Sequence, residues 1–193
     1  MNSQVFSLKI IIMGFSGVGK SSVALNYTHN IILTEFNQAH GDEFKKTIQI
    51  NDHTILLEIY DTSEDEFVAL RNQYIKQGDG FVLIYSITSK ESFEVLQQIY
   101  EDIYQVRKKE YNEHIPIIIV CNKNDLEDDR QVTKEEGINY ADSINCPFIE
   151  CNTKTREDIN RIFEVLTIDV LEHKEFITEE NEARKKQKGC CAV

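Results

Sequence analysis

The stretch Leu8-Lys9-Ile10-Ile11-Ile12-Met13-Gly14-Phe15-Ser16-Gly17-Val18-Gly19-Lys20-Ser21-Ser22 sets a short apolar run against a glycine-rich turn ending in Lys-Ser-Ser. Leu8–Met13 reads as a buried strand, and Lys20–Tyr27 as the helix that follows the turn. Between them, Gly14-x4-Gly19-Lys20-Ser21 has the spacing and the context of a loop that wraps phosphates. Glycines let successive backbone N–H groups turn inward with no Cβ in the way, and the helix N-terminus adds partial positive charge. Lys20 is then placed to reach outer phosphates and the Ser21 hydroxyl to ligate Mg²⁺. A ligand-free strand–helix turn is the other reading, but it gives no reason for Lys and Ser to follow in register.

A second motif, Asn122-Lys123-Asn124-Asp125, follows the apolar run Ile115–Cys121, at the strand end where open α/β sheets bind ligands. A carboxylate at Asp125 can accept from the guanine ring N1–H and from the exocyclic amine. Adenine offers neither donor there and would leave the carboxylate unpaired, which discriminates by about 10⁴-fold. Alone, Asn-Lys-Asn-Asp is also an ordinary polar turn; the phosphate loop upstream gives it meaning.

Apolar runs alternate with helical patterns along the rest of the chain. Thr47–Ile50 and Thr54–Tyr60 alternate as strands, with Asn51-Asp52-His53 as a hairpin between them. Phe81–Ser86, Ile115–Cys121 and the shorter Phe148–Cys151 read as strands covered on both faces. Helices are expected over Ser92–Lys108, from the capping box Thr133-x-x-Glu136 toward Ala141, and over Glu157–Lys174. The fold class is therefore α/β: a mostly parallel sheet with one antiparallel edge strand and helices on both faces.

The 193 residues, 41% hydrophobic, suffice for one core but not two, so a domain over 1–175 and a flexible basic tail over 176–193 are expected. Net charge is −12, yet residues 183–193 carry Arg184, Lys185, Lys186 and Lys188 and no acid. So acidic a body argues against nucleic-acid binding. The five cysteines form no C-x-x-C pair, which argues against zinc; Cys121, Cys146 and Cys151 read as core thiols of a reducing compartment. Leu8–Met13 is too short to span a bilayer, and the body reads as cytosolic.

With these residues in view, the chain resembles the Ras-superfamily small GTPases over nearly its whole length, and among them the Ras subfamily. The likeness rests on the two motifs above, on Asp61-Thr62, Arg71-Asn72-Gln73-Tyr74, and the run from Gly78 to Thr88. The resemblance implies a P-loop NTPase fold, a Ras-like G domain, that binds GTP or GDP with Mg²⁺ and hydrolyses GTP. Its nucleotide contacts would be Gly14, Phe15, Ser16, Gly17, Val18, Gly19, Lys20, Ser21, Ser22, Asp61, Asn122, Lys123 and Asp125, with Asn152, Thr153 and Lys154 closing over the base. Ser21 and, through water, Asp61 would hold the metal, and Lys20 would serve catalysis. A monomer meeting effector, exchange-factor and GTPase-activating proteins is implied.

The segments that sense the γ-phosphate depart from the family pattern. The effector loop aligns with Phe36, Asn37, Gln38, Ala39, His40, Gly41, Asp42, Glu43 and Phe44, so Ala39 stands where relatives place a metal-binding Thr. Ile32 replaces the aromatic residue that lies across the guanine edge. In the second loop, Asp61-Thr62-Ser63-Glu64-Asp65-Glu66 lacks the γ-phosphate glycine, and Glu64 is the nearest match to the water-positioning glutamine. An ionised Glu cannot donate, and it brings negative charge toward a polyanionic transition state. Slow hydrolysis is expected, and a pseudo-GTPase that recruits partners without cycling is the alternative. A P-loop small-molecule kinase would share the first motif but not the second.

The sequence closes Gly189-Cys190-Cys191-Ala192-Val193 behind the basic cluster, a C-a-a-X pattern with Cys190 as its lipidation site. Cys190 lipid and Arg184–Lys188 charge together would hold the chain at the anionic inner leaflet, on the cytoplasmic face of the cell membrane.

Overall fold

The computed structural model describes residues 5–31, 43–50, 53–62, 68–109 and 113–189, with the backbone alone at 5 and 175–189. Six strands form one sheet: β1 (Val5–Met13), β2 (Glu43–Ile50), β3 (His53–Asp61), β4 (Gly80–Ser86), β5 (Ile117–Asn122) and β6 (Phe148–Glu150). Their order is β2-β3-β1-β4-β5-β6, parallel throughout except for the antiparallel edge strand β2.

The continuous apolar runs are explained by burial on both faces. Leu8, Ile10 and Ile12 of β1, with Val82 and Ile84 of β4, pack on one side with α1 (Lys20–His29) and α5 (Arg156–Gly189). Ile11 and Met13, with Phe81, Leu83 and Tyr85, pack on the other. There they meet α2 (Val68–Gln77), α3 (Lys90–Arg107) and α4 (Lys134–Ser143). Period-2 alternation delivers successive side chains to opposite faces, and each face meets an apolar helix stripe. On α3 that stripe is Phe93, Leu96, Ile99 and Ile103, as its spacing predicts.

α4 opens on the expected capping box. Thr133 Oγ1 accepts from Glu136 N at 3.1 Å, and Glu136 Oε2 accepts from Thr133 N at 2.8 Å. Thr133→Ala should cost about 1 kcal/mol of stability in denaturant unfolding, with nucleotide affinity unchanged. An equal loss of both would show that α4 contributes to the site.

Two helices differ from the sequence-based expectation. α2 was not anticipated: its only buried residue is Ile75, so it has no apolar stripe to read. It is held instead by Arg71, paired with Asp102 of α3 at 2.9 Å, and by Tyr74 packed on Tyr60. The last helix also differs, because α5 continues unbroken to Gly189, beyond the Lys174 end expected for it. From Glu175 to Lys188 the chain has neither Gly nor Pro and is rich in Glu, Lys, Arg, Ala and Gln, all strong helix formers. Among the described residues, no helix is long and apolar enough to cross a membrane.

Candidate functional site

The carboxyl ends of β1, β3 and β5 converge on the Gly14–Ser21 loop, which leaves β1 and enters α1. Gly14 sits at φ +152°, where a Cβ would drive into the Ile84 carbonyl oxygen. Gly19 sits at φ +104°, and a Cβ there would overlap the Asn122 side-chain amide. Glycine is needed at both positions because neighbouring chain approaches the loop backbone so closely. Ser16 and Gly17 lie exposed at the loop's tip.

Lys20 is only 8% exposed, and its ammonium donates to the carbonyls of Gly14 (2.9 Å) and Phe15 (3.0 Å). The cation thus braces the loop from within and lies where a triphosphate's outer charge belongs. Asn122, the last residue of β5 and 1% exposed, donates from Nδ2 to the Val18 carbonyl at 2.7 Å. That bond ties the base-reading segment to the phosphate loop across 104 residues of sequence.

The Ser21 hydroxyl donates to Asp61 Oδ2. Next to it, the Thr62 hydroxyl donates to the Ile12 carbonyl at 2.8 Å and its amide to the same oxygen at 3.3 Å, fixing the end of β3 on β1. Hydroxyl and carboxylate are hard oxygen donors from two elements, and they fit Mg²⁺, which keeps most of its shell for water and phosphate oxygens. Ser21 and Asp61 would hold it, and when bound it supplies positive charge against the phosphates. Among the described residues no cluster of three or more His, Cys, Asp or Glu is placed for a metal.

On the base side, Asp125 accepts from the Lys154 ammonium at 2.8 Å, and that bond holds its carboxyl below the usual range. Asn152 organises the loop beneath: its Oδ1 accepts from the amides of Lys154 (2.9 Å) and Thr155 (3.1 Å), and its Nδ2 donates to Asn124 Oδ1 at 3.1 Å. Asn26 of α1, 1% exposed, donates to the Thr153 carbonyl at 2.6 Å and clamps the loop from the other side. Lys123 holds a left-handed φ of +64°, which turns the chain sharply after β5.

The residues predicted from sequence for phosphate, metal and base contact are therefore brought together. Asn26 and Asn124 escaped that reading. The one available signal was a polar residue inside the buried Val23–Tyr27 stretch of α1, which says that Asn26 needs a partner but not which. Cys121, Cys146 and Cys151 lie buried or half-buried, as expected of core thiols, and burial pushes Cys121 and Cys146 up to about 12. Ile32, residues 36–42, Glu64 and Cys190 lie outside the described residues. Glu43 and Phe44, assigned to the effector loop, belong to β2. Phe44 is 6% exposed and packs in the core beside His29.

Comparison with known proteins agrees with this geometry. The family model for the Ras family matches residues 9–172. Ras-like protein rasB of Dictyostelium discoideum is 36% identical over 183 residues, covering 94% of this chain and 89% of its own. Ras-like protein 1 of Saccharomyces cerevisiae is 36% identical over 162 residues, 83% of this chain; the match spans only 52% of the yeast protein. A glycine loop braced by its own lysine, a hydroxyl–carboxylate pair and an asparagine that ties the turn after β5 to that loop thus occur on a chain that belongs to the Ras family of small GTPases.

Proposed function

We propose that the protein is a guanine-nucleotide switch that binds GTP and GDP with Mg²⁺ and hydrolyses GTP slowly. The observation that carries the reading is the Asn122–Val18 bond, which joins phosphate loop and base reader into one cradle. Lys20, the loop amides and the α1 N-terminus take the phosphates; Asp125 reads the base, with Asn152–Lys154 packed over it. The test is competition for the loaded nucleotide: GDP and GTP should displace it, and ATP should not. Equal displacement by ATP would refute the guanine reading.

Slow hydrolysis rests on residue identity. Ala39 has no oxygen to offer the metal, and Glu64 accepts where a donor is required. In single turnover with Mg²⁺, Glu64→Gln should hydrolyse GTP faster than the parent, by about tenfold or more if its charge is the obstacle. A parent that already turns over as fast as Glu64→Gln would sink this part of the reading. A protein with no turnover in either form, yet with partner binding, would be the pseudo-GTPase.

The membrane tether is likewise a proposal. Its support is the Cys190-Cys191-Ala192-Val193 pattern behind Arg184, Lys185, Lys186 and Lys188. It places the protein on the cytoplasmic face of the cell membrane, where effectors, exchange factors and activating proteins of the Ras type would meet it.

A further inference from the structure

At the opposite end of the strands from the nucleotide cradle, at the amino ends of β4 and β5, lies a second concavity. Gly78 and Asp79 lead into β4 there, Ile115 and Pro116 into β5, and α5 arrives with Val170, His173 and Lys174. The end of α3 closes it with Arg107, followed by Lys109. Its volume is about 190 Å³, well above the ~10–15 Å³ that one water needs.

The charges around it are unusual for an acidic protein. Two ion pairs, Lys174–Asp79 at 2.9 Å and Lys109–Glu113 at 3.4 Å, lie beside a His114–Asp169 hydrogen bond of 2.6 Å. Among the described residues Arg107 forms no ion pair, although the charge of Asp79 acts on it. Its Nε donates to the Ile75 carbonyl at 2.7 Å and its Nη2 to that of Gly78, which leaves donors of the guanidinium fork for another acceptor. With both histidines neutral, Arg107, Lys109 and Lys174 cancel Asp79, Glu113 and Asp169. Each histidine proton then adds one uncompensated positive charge.

We propose that this cleft binds a tetrahedral, doubly charged oxyanion of the phosphate type, and does so when His173 is protonated. The two rings meet edge to face with centroids 5.2 Å apart. Burial, followed by the positive charge of His114, Lys109 and Arg107, holds His173 below its usual range, with Asp169 opposing. The empty cleft therefore resists the second proton. An anion among Arg107, Lys109, His114, His173 and Lys174 removes that resistance, so uptake of anion and proton must reinforce one another. Among the described residues, the charged or titratable groups facing the pair are Asp79, Arg107, Lys109, Glu113, Asp169 and Lys174, all counted above. The phosphate could be carried by a lipid headgroup or by a soluble metabolite, and the chemistry recognised is the same.

Sulfate tests the site, because it stays doubly charged across the histidine range. The full chain loaded with GDP is titrated with sulfate while the His114 and His173 ring protons are followed by NMR. Binding should be at least about tenfold tighter at pH 6 than at pH 8, with the His173 midpoint moving upward at saturation. The double variant His114→Ala/His173→Ala should lose the pH dependence, and Lys109→Glu should weaken binding at both pH values. Unmoved histidine signals at pH 6, or equal sulfate affinity in parent and double variant, would overturn the proposal. Vesicles then separate the sources: a preference for phosphoinositide over phosphatidylserine at equal charge, abolished by the double variant, assigns a lipid. Displacement of sulfate by soluble inositol phosphate, with no such vesicle preference, assigns a free metabolite. The histidine signals report this cleft alone, so the outcome is independent of whether the distant cradle takes guanine.

Discussion

Asp125→Ala protein should bind GDP about 10²- to 10⁴-fold more weakly than the parent, with its already weak hold on ATP unchanged. The lost contacts are two hydrogen bonds to a charged acceptor, each worth about 1.5–3 kcal/mol, and every 1.4 kcal/mol is tenfold in affinity. Burial makes the loss one-sided: guanine's N1–H and amine would be covered yet left without an acceptor. The variant also releases Lys154 from its pair with Asp125, but that side chain is 68% exposed. Such a pair contributes at most about 1 kcal/mol, so the melting temperature without nucleotide should barely move. Displacement of a fluorescent GDP analogue measures the effect. An unchanged guanine-to-adenine ratio would mean that Asp125 reads nothing.

Gly14→Ala should act on the fold itself. The new methyl would meet the Ile84 carbonyl oxygen, which is backbone inside β4 and cannot rotate away. β4 lies between β1 and β5, so relief requires parting β1 from β4 where the phosphate loop begins. A destabilisation of about 3–5 kcal/mol is expected, in the rare upper range for single substitutions. For a chain of this size that is a fall of roughly 6–20 °C in Tm. Thermal unfolding of the GDP-loaded protein checks it. Gly17→Ala is the contrasting control: its φ is +73°, but a Cβ there meets nothing within 4 Å, so only local strain of about 1–2 kcal/mol applies.

How much of this could be read from sequence depends on what holds each element. β1, β4 and β5 were legible because both faces are covered, which demands unbroken apolar runs such as Phe81–Ser86. The cap of α4 was legible because Thr133 and Glu136 interact only with each other's first turn. α2 was not, since Arg71 and Tyr74 hold it through partners on α3 and β3 that no local pattern announces. The far half of α5 was not legible as helix because its polar residues show no apolar stripe, although they are strong helix formers. In the site, the two motifs were legible because their residues are contiguous in sequence, Gly14–Ser21 in one loop and Asn122–Asp125 in one turn. Asn26 stayed hidden because its partner, the Thr153 carbonyl, lies 127 residues away.

The unbroken run of α5 bears on how an anchored molecule would stand over a bilayer. From Lys174 to Gly189 the backbone rises about 1.5 Å per residue, a stiff stalk of roughly 22 Å. A slack leash forgets direction, whereas a stalk passes on every twist of its foot. Adding a single residue between Glu175 and Lys188 would swing the whole body by about 100° around that axis, and four would bring it nearly back to its starting face. The count of residues in this segment, and not only their charge, would then decide which side of the molecule looks toward the lipid.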